Sequence, residues 1–314
     1  MEYTKIPNID IDITRIGLGT WSIGGWLWGG TNEQDSIDTI KAAFDKGINL
    51  IDTAPVYGFG LAEEFCGKAV KELKNRDKIV IATKCGLSWH NQKVFRDSSG
   101  KTILKEINDS LRRLDTDYID LYQVHWPDPD TALEKTAEIL NTLMEKGKIK
   151  AIGTSNFSPG QMEQFSKEAP LHTNQPPYNL FEREMENDVL PYCRENGIKT
   201  LAYGSICQGL LSGKMTSDTK FEGDDNRKTD KKFTGDTFSK YLQTVEKLDN
   251  FAIENYGKRV IDLAIRWILD RDVEIALFGA RKPYQLDKLE NIFGWKINTD
   301  AMKAIDEILE EALA

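Results

Sequence analysis

The 314-residue chain is 40% hydrophobic and 29% charged, the balance of an ordinary globular protein. Its net charge of −9 disfavours a nucleic-acid partner, because neutralising phosphates needs concentrated Lys and Arg. No apolar run is long enough to cross a bilayer, and "MEYTKIPNID" lacks a secretory signal's basic start and apolar core, so a cytoplasmic, non-membrane protein is expected.

Along the chain, residues 2–14 read as a short hairpin placed to plug one end of the fold. Strand-like runs then occur at 15–21, 49–53, 79–84, 119–125, 150–156, 172–175, 199–205 and 274–280. Helical patterns at 33–46, 61–74, 101–114, 131–146, 158–168 and 184–196 separate them, with apolar residues recurring at three and four, as in Ile37, Ile40, Ala43 and Phe44. Residues 206–237 form a long polar stretch, followed by helices at 238–256 and 258–270, and a last helix covers 299–313. Length alone suits two average domains or one large barrel. Eight strands alternating with helices, in uniform composition, predict an α/β fold: one (β/α)8 TIM barrel over residues 1–314, with an N-terminal β-hairpin and extra helices after strand 7 and at the C-terminus. An open doubly wound sheet would want GxGxxG after an early strand. "GLGTWSIGG" has the wrong spacing and "GFGLAEE" lacks the third glycine.

In such a barrel the C-terminal strand ends converge on one face. Those ends carry Asp52, Lys84 and His125, with Tyr57 on the loop after the second strand. A phenol is a poor proton donor unless a cation stabilises its phenolate, and Lys84 can supply one. A buried lysine needs a counter-ion, for which Asp52 is placed. His125 can direct an incoming carbonyl oxygen. Taken singly, each has a bland reading: a turn or cap aspartate, a loop aromatic, a strand-end lysine, a core histidine. Four of them in successive βα units argue for one site. The other histidines, His90 and His172, show no metal-ligand spacing, so no metal is expected. Cys66, Cys85, Cys193 and Cys207 lie far apart and read as reduced thiols.

From "RIGLGTW" to "GARKP" the chain resembles the aldo-keto reductase family, on "DSLRRLDTDYIDLYQVHWPD", "IGTSNFS" and "LLSGK". Within it, "TAPVYGFG", "QPPYNLFEREME" and "FEGDD" are similar to the NADPH-dependent bacterial general stress proteins. The resemblance places the family's catalytic four on Asp52, Tyr57, Lys84 and His125. It also implies a nicotinamide dinucleotide stretched across the barrel mouth without a Rossmann motif, near Thr20, Trp21 and Asp52. Ser155, Asn156 and Gln175 offer groups suited to a carboxamide, and Tyr203 a ring for stacking. Gly204, Ser205, Ile206, Cys207 and Gln208 lie where a pyrophosphate would pass, with Lys214 as a phosphate contact. The family usually has a proline and glycines where Ile206, Cys207 and Gln208 stand.

Gly279, Ala280, Arg281 and Lys282 end the eighth strand and enter a helix opened by Pro283, a site suited to an adenosine 2′-phosphate. Arg227 can close over the same phosphate, while the lysines of "RKTDKK" read as a solvated loop. These cations predict NADPH/NADP+ over NADH, since NAD sites more often present a carboxylate. Gln285 matches the family, whereas Glu290 and Asn291 stand one residue later than its adenine-binding pair. Trp21, Trp89 and Trp126 are candidate walls of the substrate pocket. The expected function is reduction of a small-molecule aldehyde or ketone with NADPH. Its alternatives are polyol oxidation with NADP+ and a nicotinamide-binding, redox-sensing regulatory subunit. Oligomeric state is not encoded in any feature of the chain.

Overall fold

The computed structural model describes residues 1–313, with side chains to residue 311. Eight parallel strands close into a barrel: Ile16–Gly19, Leu50–Asp52, Val80–Cys85, Ile119–Val124, Ile149–Ser155, Thr173–Gln175, Lys199–Ala202 and Ile275–Gly279. They neighbour one another in chain order, and the eighth pairs with the first. The expected TIM barrel is therefore the observed fold, and each strand lies within or against its predicted run.

Strand periodicity decides which side chains reach the interior. Leu50, Val80, Ala82, Leu121, Ala151, Leu201, Ile275 and Leu277 fill the barrel. The residues between them, such as Ile51, Ile81, Tyr122 and Ile152, pack outward under the helices. Continuing the inward series in steps of two leads to Asp52, Lys84, Gln123 and then His125. At the opposite end, the hairpin of Tyr3–Thr4 and Ile13–Thr14 presses Ile6, Ile9 and Ile13 onto the same interior cluster. The predicted plug is present.

The helices follow their sequence signals closely. Asn32 opens Glu33–Asp45 by accepting from the Asp35 N–H at 3.0 Å, and the helix buries Ile37, Ile40 and Ala43. A reciprocal Ser158–Gln161 capping box opens Pro159–Phe165. The pattern at 184–196 is instead split into a 3-10 turn, Glu184–Glu186, and a helix, Val189–Glu195. Pro191 accounts for the break: it has no N–H to donate and fits only in a helix's first turn.

Two regions depart from expectation. Residues 87–96 are a hairpin, Leu87–His90 against Lys93–Arg96, turned by Asn91 and Gln92 at φ 49 and 62. The polar stretch after the seventh strand is ordered into short turns, Cys207–Ser212, Asn226–Lys228 and Lys231–Phe233. Phe233 anchors it, with ring centroids 5.5 Å from Phe221 and 6.1 Å from Phe238. The long helices Gly235–Tyr256 and Val260–Asp270 come next, and Thr299–Leu313 closes the chain outside the repeat.

Candidate active site

The four predicted catalytic side chains meet at the C-terminal rim. The Lys84 ammonium donates to Asp52 Oδ1 at 2.5 Å, to the Thr53 carbonyl at 3.0 Å and to the Tyr57 hydroxyl at 3.2 Å. Those three bonds use all three of its hydrogens. The His125 ring stands edge-on to Tyr57, with centroids 5.7 Å apart. Tyr57 is held by backbone packing: a Cβ on Gly24 would lie 2.5 Å from the Tyr57 carbonyl carbon, so only glycine lets the two loops approach this closely.

Electrostatics separate the roles. Burial pushes the Tyr57 phenol above its ordinary pKa, and the Lys84 charge pulls the other way. Burial also disfavours the Lys84 ammonium, yet Asp52 and Tyr57 together raise its pKa. His125 is driven well below its usual value by burial and then by the Lys84 cation, which leaves a neutral imidazole able to donate one N–H. At neutral pH the site therefore presents a protonated phenol, an ammonium and a neutral imidazole.

An elongated cavity of about 660 Å³ runs from Tyr57 and Gln175, past Tyr203 and the backbone of 204–209, to Gly279, Ala280, Arg281 and Gln285. Thr20 and Trp21 wall it, and Thr20 donates its N–H and hydroxyl to the Asp52 carbonyl, each at 3.0 Å. Trp28 meets Trp21 edge-on at 5.3 Å and stacks under Arg227 at 4.8 Å. The Asp224 carboxylate accepts from the Leu27 and Gly29 N–H groups, each at 2.9 Å, which lashes the first-strand loop to the seventh-strand loop. Buried Ser22 Oγ and Gln208 Oε1 have no partner among the described residues, and both residues line the cavity.

Sequence comparison identifies the lineage of this site. The aldo/keto reductase family model matches residues 15–310. The chain belongs to the aldo/keto reductase family. It is 57% identical to the aldo-keto reductase YhdN of Bacillus subtilis, over the whole of this chain and 95% of that one. A protein of Escherichia coli named as an NADH-specific methylglyoxal reductase is 37% identical over 98% of this chain and 99% of its own. Among solved structures, the glycerol dehydrogenase AKR11B4 of Gluconobacter oxydans superposes with TM-score 0.92 at 49% identity, covering 99% of this chain and 96% of that one.

Within that family frame, several predicted residues sit differently from expectation. Ser155 donates to the Gln175 carbonyl at 2.8 Å. Asn156 donates to the His125 carbonyl at 3.0 Å and accepts from the Tyr203 hydroxyl at 2.9 Å. Both side chains are thus hydrogen-bonded within the protein. Tyr203 stands just past its strand, bridged to Pro177, with its ring on the cavity. Lys214 is outside the cavity, its ammonium 5.7 Å from the exposed Tyr284 ring. Trp89 packs on Phe59 at 5.6 Å, and Trp126 lies under Arg96 at 5.1 Å; neither lines the cavity.

At the distal end, Arg281 donates to the carbonyls of Trp28 and Gly30, and Lys282 pairs with Asp35. Arg227 is held by Asp225 at 2.6 Å. Gln285 accepts from the N–H groups of Arg281 and Lys282 at 2.7 and 2.9 Å, and the helix expected at Pro283 is one 3-10 turn, Pro283–Leu286. Lys232, expected in solvent, is half-buried on the cavity wall and pairs with Glu182 at 2.6 Å. Both residues were missed because a charge run carries no signal of the partner that buries it. Trp28 and Gln123 were missed too, although Gln123 stands two residues before His125 on the same strand face. The Cys207 thiol is buried and pushed up to about 12, so it is inert as a nucleophile at neutral pH.

Proposed function

We propose that this reductase converts aldehydes or ketones to alcohols with NADPH, and that Tyr57 delivers the proton. One observation carries the reading. Because Lys84 donates to the Tyr57 oxygen, the phenol's own hydrogen is directed elsewhere, and the cavity is the open side. His125, whose ring stands 5.7 Å from that of Tyr57, gives an N–H to the oxygen of a carbonyl bound beside Tyr57. When bound, the reduced nicotinamide supplies hydride to the carbonyl carbon. Tyr57 then protonates the developing alkoxide, and Lys84, balanced by Asp52, stabilises the phenolate left behind. A positioned proton donor of this kind typically contributes about 10²–10⁴-fold. Trp21 and Trp28 wall the site with apolar surface, which selects by shape.

Arg281 supports the preference for NADPH. Its guanidinium donates to the backbone carbonyls of Trp28 and Gly30, and its pKa is lowered by burial and then by the nearby Arg227 charge, against the opposing pull of Asp225. Asp225 balances one of these two guanidiniums, and the charge that remains favours a further anion such as the 2′-phosphate. The test is a fluorescence titration with NADPH and NADH, followed by an aldehyde panel read at the reduced-nicotinamide absorbance. NADPH should bind at least about tenfold tighter, the worth of one charge-assisted bond. Equal or tighter NADH binding overturns the cofactor assignment. A second reading, oxidation of a polyol with NADP+, is favoured by the 49% identity to a glycerol dehydrogenase. Faster turnover of glycerol with NADP+ than of any aldehyde with NADPH would select it.

A further inference from the structure

We infer that Gln123, which lies outside the proton-delivering four, is a positioning residue that ties the Asp52 carboxylate to the orientation of Gln175. The inference rests on the proposed dinucleotide site, where Gln175 is the amide facing the carboxamide of the nicotinamide. Gln123 is fully buried on the fourth barrel strand, one inward layer below His125. Its Nε2 donates to Asp52 Oδ2 at 3.1 Å. Gln175 Nε2 donates to the same oxygen at 2.7 Å and to Gln123 Oε1 at 3.2 Å.

The direction of each amide is set by the carboxylate. An ionised Asp52 can only accept, so both glutamines must turn nitrogen toward it. Gln123 is left with its oxygen facing Gln175, and that oxygen takes the second hydrogen of the Gln175 amide. Both Gln175 hydrogens are then spent, and its Oε1 is the acceptor left for the cavity it lines. A carboxamide NH₂ is the complementary donor. Gln123 also bears on the proton-transfer end. Asp52 Oδ1 holds Lys84, and every donor on Oδ2 draws charge away from that pair. Removing one binds Lys84 more tightly to Asp52 and leaves less of its charge to stabilise the Tyr57 phenolate.

The experiment uses Gln123→Leu and Gln123→Glu in the full chain. The first readout needs no turnover: affinity for NADPH against its 3-acetylpyridine analogue, whose methyl ketone has no N–H to donate. The native protein should prefer NADPH by about tenfold, the worth of one hydrogen bond in a buried site. In Gln123→Leu that preference should narrow to about threefold or less, since the second hydrogen of the Gln175 amide loses its acceptor and Asp52 alone is left to hold the amide, and the phenol's limb in the pH profile of kcat should move to higher pH. Gln123→Glu keeps an acceptor for Gln175, so it should retain the native preference. It should also acquire a new loss of activity as pH rises through the titration of two adjacent carboxylates.

Native preference together with an unmoved phenol limb in Gln123→Leu overturns the inference. Should that variant fail to fold, Gln123→Glu decides: a new limb with retained preference supports the inference, and no new limb overturns it. If the native protein binds neither dinucleotide, the proposed function falls and this inference falls with it. Native binding with unchanged discrimination and an unmoved phenol limb in the variant sinks the inference alone.

Discussion

The two ends of the barrel are built from the same strands and solve opposite problems. At the N-terminal end, Ile6, Ile9 and Ile13 close the interior with apolar surface. At the C-terminal end the inward series continues as Asp52, Lys84, Gln123 and His125, all of them buried. The apolar end needs no partners beyond close packing. The polar end is tolerated because each charge is met: Asp52 accepts from three donors, and Lys84 donates three times. The lower end can be altered by volume alone, whereas removing Asp52, Lys84 or Gln123 at the upper end strands a buried polar group.

That contrast is sharpest for Tyr57→Phe. Removing only the hydroxyl should lower kcat by about 10²–10⁴-fold while the melting temperature and dinucleotide affinity stay near native. Near-native turnover would end the proposed role. The complementary change is Ile13→Ala, at the plug. It should cost about 2–5 kcal/mol in denaturant unfolding, with kcat and KM of the folded fraction unchanged. A large fall in kcat there would show that the two ends are coupled.

A third test lies at the base of the hairpin at 87–96. Glu106 accepts from the Gly86 N–H at 2.7 Å and the Ser88 hydroxyl at 2.9 Å, and burial raises its pKa from 4.5 to about 7. The folded protein thus holds this proton more tightly than the unfolded chain. The resulting stabilisation is complete below pH 4.5 and is lost as pH rises through about 7, to a total of about 3 kcal/mol. Urea unfolding of Glu106→Gln should lack this decline between pH 5 and about 7.5; an identical decline in the variant would assign it to other groups. The smallest effect is expected for Asp224→Ala, which unties the two loops over the cavity. Dinucleotide release, monitored by stopped flow, should quicken by roughly threefold to tenfold, as for about 1 kcal/mol of lost hydrogen bonding. Unchanged release would mean that the lashing does not hold the ligand.

The legible part of the site was the part carried on strands. Asp52, Lys84 and His125 share an inward face because strands alternate, and Tyr57 comes after Asp52 on a short, glycine-bounded loop. Trp89 and Trp126 stand apart from the cavity lining for the opposite reason. Their loops leave the rim by paths that strand periodicity does not constrain, and one of them folds into its own hairpin. Lys232 and Lys214 carry equal charge in polar sequence, yet Lys232 faces Glu182 on the cavity while Lys214 faces Tyr284 outside it. Local composition cannot tell them apart, because the partner of each is distant in the chain.

By itself the amino-acid order determined the eightfold alternation, the apolar plug and the family motifs, since those depend on spacing along a strand or helix. Only the tertiary structure decided that Gln123 and Gln175 share one carboxylate oxygen and that the loops after the first and seventh strands are tied together. Those contacts join residues 71, 123 and 197 positions apart. Barrel closure creates them, and no periodicity along the chain records it.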